Sequence, residues 1–196
     1  MDNSEKLERF KWEAEELRKA IGIEHHFRPL QTVYNQASGI IVASVERYSK
    51  EAFDRRLFYR RISECVYQQL GSPASDIHYD NLTTSSSTPA IFFTVRRVTP
   101  HVKAGEFGGD WLSIDRFDLG TFKAESIITK DRLQLPGPYS RGWVSQLLGV
   151  AFDDSAIFCS CGLERPEKGN VHYWLCAVQP RTQSVTLLSR FEGGWF

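Results

Sequence analysis

Two short stretches carry residue types that do chemistry. Asp76-Ile77-His78-Tyr79-Asp80 puts two carboxylates and an imidazole on one side of an extended chain, because alternate residues of a strand share a face. A carboxylate beside an imidazole raises the His pKa and poises it for proton transfer, and the same trio suits a metal ion. The plainer reading is a solvated strand entrance. The second stretch is Cys159 and Cys161 with His172 across a loop. Symmetric closure of that loop sets Cys161 opposite His172, and thiolates with an imidazole suit zinc. Structural zinc sites, however, draw ligands from short paired loops, and the neighbours here are Ile157 and Trp174. Buried cysteines in a packed sheet are the commoner outcome, so no metal and no other cofactor is expected. Trp174, alternating with Cys176 in an apolar strand, reads as core.

Other signatures of catalysis are missing. There is no Gly-x-Ser-x-Gly elbow, and Gly105-Glu106-Phe107-Gly108-Gly109 has neither the spacing nor the lysine of a phosphate loop. Basic residues gather in three places: Arg47, Lys50, Arg55 and Arg56; Arg96, Arg97, His101 and Lys103; Arg165 and Lys168. If the three share one rim, Arg55, Arg56, Arg96, Arg97, His101 and Arg165 are its candidate binding residues. Glu46, Glu51, Asp54, Glu106, Asp110, Glu164 and Glu167 are interleaved with them, which makes the rim mixed in sign. Lys plus Arg equals Asp plus Glu at 24 each, a balance that argues against nucleic acid and against an anionic membrane.

The elements that must hold these residues read as short strands. From Gln146 to Arg190 the chain runs QLLGVAF, a turn at Asp153-Asp154-Ser155, AIFCSCG, a charged loop, VHYWLCAV, a turn QPRTQ and SVTLLSR. Such β-branched and aromatic runs bounded by turn chemistry predict a four-stranded antiparallel meander. Its middle strands are apolar on both faces, so both faces should be covered. Ile41, Ile91 and Ile157 align the segments SGIIVASV, TPAIFFTV and DSAIFCSC, and Thr121 aligns with Thr182 downstream, which gives three units of this kind. The run 55–70 is ambiguous, because Phe58, Ile62, Cys65 and Val66 also fit a helix.

Asp153-Asp154-Ser155-Ala156-Ile157 and Asp118-Leu119-Gly120-Thr121 carry a resemblance over residues 30–190 to the blades of TolB-like and WD-repeat β-propellers. The resemblance implies a scaffold for binding and fixes no activity. The fold expected is therefore all-β with a short N-terminal helix and propeller-like four-stranded antiparallel meanders. The alternatives are a sandwich or barrel, or an α+β fold if 50–70 is helical. Residues 1–24 form the helical segment and 25–196 the repeat domain. The helix is read over 4–21, with a seam of Leu7, Phe10, Ala14, Leu17 and Ile21 that either docks on its own domain or pairs with a second copy.

At 196 residues, 41% hydrophobic and 13% aromatic, the composition is that of a folded globular chain. The charged N-terminus is unlike a secretory signal, no apolar run approaches the ~20 residues of a spanning helix, and the four cysteines sit outside any disulfide framework. A cytoplasmic protein with reduced thiols is expected. The function expected is a non-enzymatic binding module that presents a loop rim to a protein partner. The alternative is a metal-dependent enzyme or ligand binder using Asp76, His78 and Asp80. Three units fall short of the roughly four to eight that close a ring, so a homodimer that completes one is a further expectation.

Overall fold

The computed structural model describes residues 11–12, 15–21, 26–48, 53–71, 74–98, 109–166 and 171–191. Among the described residues, twelve strands form three antiparallel sheets of four, and within each sheet every strand pairs with its neighbours in sequence. Sheet one holds β1 (His26–Asn35), β2 (Ile40–Tyr48), β3 (Phe53–Arg61) and β4 (Gln68–Leu70). Sheet two holds β5 (Ile77–Thr84), β6 (Ala90–Arg97), β7 (Asp110–Asp118) and β8 (Lys123–Thr129). Sheet three holds β9 (Arg141–Val150), β10 (Ile157–Glu164), β11 (Val171–Gln179) and β12 (Ser184–Phe191). The sheets stack face to face, with β5 against β1, β2 and β3 of sheet one and against β9 of sheet three, a propeller-like arrangement. Among the described residues no sheet closes into a barrel.

The run 55–70 is two strands and the turn between them, not a helix. Ile62 and Val66 are 56% and 62% exposed, so the apolar positions that fit a helical spacing do not form one buried stripe. Leu57 and Phe58, adjacent in sequence, are both buried, one on each face of β3. Burial on both faces is what a central strand requires, and pairing with β2 decides the conformation.

Two clusters fill the spaces between sheets. Ile40, Val42, Leu57 and Leu70 of sheet one meet Leu82, Ile91, Phe93 and Phe117 of sheet two. Ala90, Phe92, Trp111 and Ile114 of sheet two meet Val144, Leu147, Ile157, Cys159 and Cys176 of sheet three. Phe92 and Phe93, neighbours on β6, are each 1% exposed and point to opposite clusters; each contributes about 1.5–3 kcal/mol through burial. Trp174 lies at the edge of the second cluster and is half-buried, with its Nε1 donating to the Tyr139 hydroxyl at 2.9 Å.

The repeat is visible atom by atom. Ile41, Ile91 and Ile157 all face the preceding side of the stack. The β7–β8 turn ends on Phe122 (φ 55°), whose N–H donates to the Asp118 carbonyl at 2.8 Å. The β11–β12 turn ends on Gln183 (φ 55°), whose N–H donates to the Gln179 carbonyl at 2.8 Å. The turns that lead into each second strand interlock. The Asn35 amide donates to the carbonyls of Ser85, Thr88 and Ala90, and the Asp154 carboxylate accepts from the hydroxyls of Ser85 and Thr88.

The two ends of the stack differ. Helix α1, described over 11–12 and 15–21, lies where a preceding sheet would be: Leu17 and Ile21 pack on Ala43, Val45 and Phe58 of sheet one and on Tyr67 just before β4. Leu7, Phe10 and Ala14 of the predicted seam lie outside the described residues. At the other end, the outward face of sheet three has no such cover among the described residues. Phe158 on that face is 38% exposed, whereas full cover was expected for both faces of this strand.

Candidate functional site

His78 and Asp80 share one face of β5 and are 2% and 4% exposed, while Asp76 precedes the strand. Asp80 accepts from Arg55 Nη1 at 2.6 Å and lies 3.6 Å from Arg96 Nε. Arg55 in turn donates to Glu46 through Nε (3.2 Å) and Nη2 (3.1 Å), and Arg28 reaches Glu46 at 3.2 Å. Charges thus alternate along Arg28, Glu46, Arg55, Asp80 and Arg96, from β1 of sheet one to β6 of sheet two. Arg96 Nη2 carries the line into sheet three by donating to the Val144 carbonyl at 2.9 Å. Asp76 stands apart, half-buried and 3.4 Å from Arg97.

This setting reverses the expectation for the histidine. Burial pushes the His78 pKa down, and although Asp80 and Asp54 raise it, the guanidinium groups of Arg56 and Arg55 add to the lowering. His78 is held neutral rather than poised as an acid. Asp54 beside it is partly buried, which raises its pKa, but the Arg47 hydrogen bond and the charges of Arg56 and Arg47 outweigh burial and hold it below the usual carboxylate value. Arg47 grips Asp54 with Nε at 2.9 Å and Nη2 at 2.7 Å, a bidentate pair.

The candidate rim residues fall in different settings. Arg55 and Arg56 are buried, and Arg56 donates to the Ile77 carbonyl at 2.6 Å and pairs with Asp54 at 3.1 Å. Arg96 is half-buried against Asp80, Arg97 is exposed beside Asp76, and the Arg165 guanidinium lies 5.7 Å from the Tyr139 ring centroid. His101 lies outside the described residues, as do 49–52, 99–108 and 167–170 in the loops expected to make the rim. Arg55 and Arg96 do come together, through Asp80, inside the protein.

The cysteines sit in a different register from the one expected. Cys161 is opposite Trp174, Cys159 opposite Cys176 and His172 opposite Leu163, two residues away from symmetric loop closure on Cys161 and His172. Cys159 and Cys161 bring their sulfurs to 3.5 Å across a bulge in the β9–β10 pairing. Neighbouring thiols Cys159 and Cys176, together with burial, push the Cys161 pKa well up, so the Cys161 thiol stays protonated and unreactive. His172 is turned to Tyr139, with Nδ1 3.2 Å from its hydroxyl. Among the described residues no group of three or more His, Cys, Asp and Glu side chains has the geometry of a metal site.

A cleft of about 760 Å³ follows β9, an edge strand of sheet three. Asn81, Arg96 and Trp111 of sheet two form one side, and Trp143, Gln146, Ser160, Tyr173 and Phe191 of sheet three form the other. Asn81 sits in a bulge of β5 with φ 50°, and that backbone sends its amide to the Ser145 carbonyl at 2.9 Å. Arg96 and Asn81 thereby satisfy the free edge of β9 and fix the cleft wall. Lys130 and Asp110, 3.3 Å apart, stand at the sheet-two side. None of Trp143, Gln146, Tyr173 and Phe191 was singled out by sequence reasoning. Their shared face follows from strand register, since Trp143 and Tyr173 are each directly opposite Gly162, and Phe191 is opposite Tyr173.

No family model matches the chain, and none of the curated proteins matches it by sequence. Among solved structures it is similar to a GH74 xyloglucanase from Xanthomonas campestris, at 11% identity and a TM-score of 0.47, over 82% of this chain and 21% of that one. It is also similar to an oligogalacturonate lyase in complex with manganese, at 14% identity and a TM-score of 0.44, over 85% of this chain and 49% of that one. A third is Porphyromonas gingivalis dipeptidyl peptidase 4, at 9% identity and a TM-score of 0.41, over 84% of this chain and 31% of that one. The chain spans about half the length of these proteins or less.

Proposed function

We propose that this chain is a non-enzymatic binding module that takes a segment of a protein partner in the cleft along β9. One observation carries the reading: the cleft joins aromatic rings on sheet three to fixed polar groups on sheet two, while the charged groups beneath it are committed to one another. Apolar walls with a few placed polar groups are the usual make-up of a recognition site. Asp80, already engaged by the guanidinium groups of Arg55 and Arg96, supports this reading over the metal-dependent alternative, which needs that carboxylate free. In this reading the three units are blades of the TolB-like and WD-repeat kind, and the protein works in the cytoplasm, where its buried thiols stay reduced.

Panning a displayed peptide library against the purified protein tests it. Selected peptides should bind wild type and the exposed variants Arg97→Ala and Arg165→Ala, and should fail with Gln146→Arg in the cleft. Loss of binding in the two arginine variants instead would move the site to the rim. Stoichiometric metal in the purified protein that disappears in His78→Ala would favour the enzyme. A second reading, the homodimer, is favoured by the partly exposed Phe158 on the outward face of sheet three. Sedimentation equilibrium reads it directly, and a mass of one chain at all concentrations counts against it.

A further inference from the structure

At both junctions inside the chain, one sheet offers the next an amide side chain. Gln31 of β1 lies opposite Ser44, and its Oε1 accepts from the Leu82 N–H at 2.9 Å. Asn81 of β5 donates to the Thr94 hydroxyl at 3.2 Å and to the Ser145 carbonyl at 2.9 Å. Both receiving residues sit in β-bulges, Leu82 in β5 and Ser145 in β9, where a backbone group falls out of the ladder. Ser44, Thr94 and Ser160 hold one position of the repeat, counted from Ile41, Ile91 and Ile157, and Gln146 lies opposite Ser160. Gln146 is therefore the third amide of the series. It is exposed, with no hydrogen-bond partner among the described residues. Val42, Phe92 and Phe158 form a parallel series: the first two are 0% and 1% exposed beneath the following sheet, and Phe158 is 38% exposed.

The chain also holds the surface that fits this third junction. β1 has a bulge at Leu30, between Gln31 and Pro29, which pair with Ser44 and Val45; Ser145 bulges between Gln146 and Val144, which pair with the equivalent Ser160 and Cys161. Leu30 is 38% exposed, and among the described residues no sheet precedes it. Next to it, Ala43, Val45 and Phe58 make an apolar face like those that sheets two and three present to the sheets before them, and α1 covers it. Resting on the homodimer reading above, we propose that sheet three of one copy docks on sheet one of a second, with the Gln146 amide bonded to the backbone at Leu30. Phe158 is then covered by the face that α1 occupies in the single chain. Helix and docked sheet cannot share that face, so α1 leaves it on assembly. The turn link of the inner junctions is not continued, because Ala151 stands where Asn35 and Ser85 make it. Fewer bonds hold this junction, which suits one formed between chains. Two such junctions join two copies into a ring of six sheets, within the roughly four to eight that close.

Cross-linking of mixed full-length chains tests this. With the exposed thiol removed by Cys65→Ser, a Leu30→Cys chain is mixed with a tagged Gln146→Cys chain and treated with a short bismaleimide. The product that joins the two kinds of chain should form and should predominate over the product of two Gln146→Cys chains. Phe158→Asp should lower its yield about tenfold, since docking would bury a carboxylate without a partner. Leu17→Asp, which frees the helix, should raise it; Phe158→Asp carries the test if Leu17→Asp does not fold. No mixed product overturns the proposal, and so does an equal yield from Leu30→Cys with Glu125→Cys, an exposed site on sheet two. A folded Leu17→Asp chain that leaves the yield unchanged overturns the exchange of helix for sheet. Sedimentation separates the two levels: if the protein is a dimer but only pairs of Gln146→Cys chains are joined, the homodimer reading stands and this mode of docking falls.

Discussion

Arg55 Nη1 and Asp80 Oδ1 are 2.6 Å apart, with the arginine on the third strand of sheet one and the aspartate on the first strand of sheet two. Both side chains are under 10% exposed, so their charges must neutralise each other to be tolerated at all. Removing one partner of a buried pair costs about 3–5 kcal/mol, because the other charge is left behind. Asp80→Asn leaves Arg55 and Arg96 facing each other across a neutral amide. Its urea midpoint should fall by an amount equal to about 3 kcal/mol or more, with the slope unchanged. A loss of only a few tenths would mean the sheets are joined without the pair.

His78 predicts a pH dependence of known sign. Its pKa is lowered in the folded protein, first by burial, with Asp80 and Asp54 opposing and Arg56 and Arg55 adding. The unfolded chain therefore binds a proton more readily than the native one. This group's contribution is fully present above its ordinary pKa of about 6.5 and is lost as pH falls from there through the folded value. Melting temperature should drop from pH 7 towards pH 5, and His78→Gln should flatten that drop. A steeper acid dependence in the variant would reverse the assignment.

Much of the fold was legible because it rests on local chemistry. Turns closed by Thr121 and Thr182 and second strands entered at Ile41, Ile91 and Ile157 are fixed within a few residues of themselves, and the same backbone recurs at Phe122 and Gln183. The site was not legible, because it depends on register. Trp143, Gly162, Tyr173 and Phe191 are far apart in sequence and meet only once four strands are aligned. The rim arginines show the opposite failure. Arg55 looks like a surface charge in a polar run, and only the stacking of two sheets reveals that Glu46 and Asp80 hold it inside.

Thiol reactivity follows from the same burial pattern. Cys65 is exposed, whereas Cys159, Cys161 and Cys176 are each at most 1% exposed and unoxidised. Under native conditions an aromatic disulfide reagent should release one equivalent quickly, and four after denaturation. Rapid release of two or more from the native protein would show that sheet three opens readily. Four equivalents falling to two in the denatured, unreduced protein would reveal a disulfide, with the Cys159–Cys161 pair at 3.5 Å the first to check.

The helix sets the last prediction. Leu17 and Ile21 are 4% and 5% exposed, and the face they cover holds Ala43, Val45 and Phe58, all at most 1% exposed. Arg60 adds to the seat, its guanidinium 5.0 Å from the Trp12 ring centroid and 5.4 Å from that of Tyr67. A helix this short has little stability alone, so its packing on sheet one is what keeps it formed. Leu17→Ala should cost about 2–4 kcal/mol by cavity formation. Leu17→Asp should do more, since a carboxylate cannot be buried there without a partner, and releasing the helix uncovers the outer face of sheet one. With both end faces uncovered by the described residues, the chain has the two surfaces that a ring of sheets needs to continue. Sedimentation equilibrium should therefore show stronger, concentration-dependent association for Leu17→Asp than for wild type. If the aspartate variant melts normally and sediments as wild type does, the helix is not what closes that end of the stack.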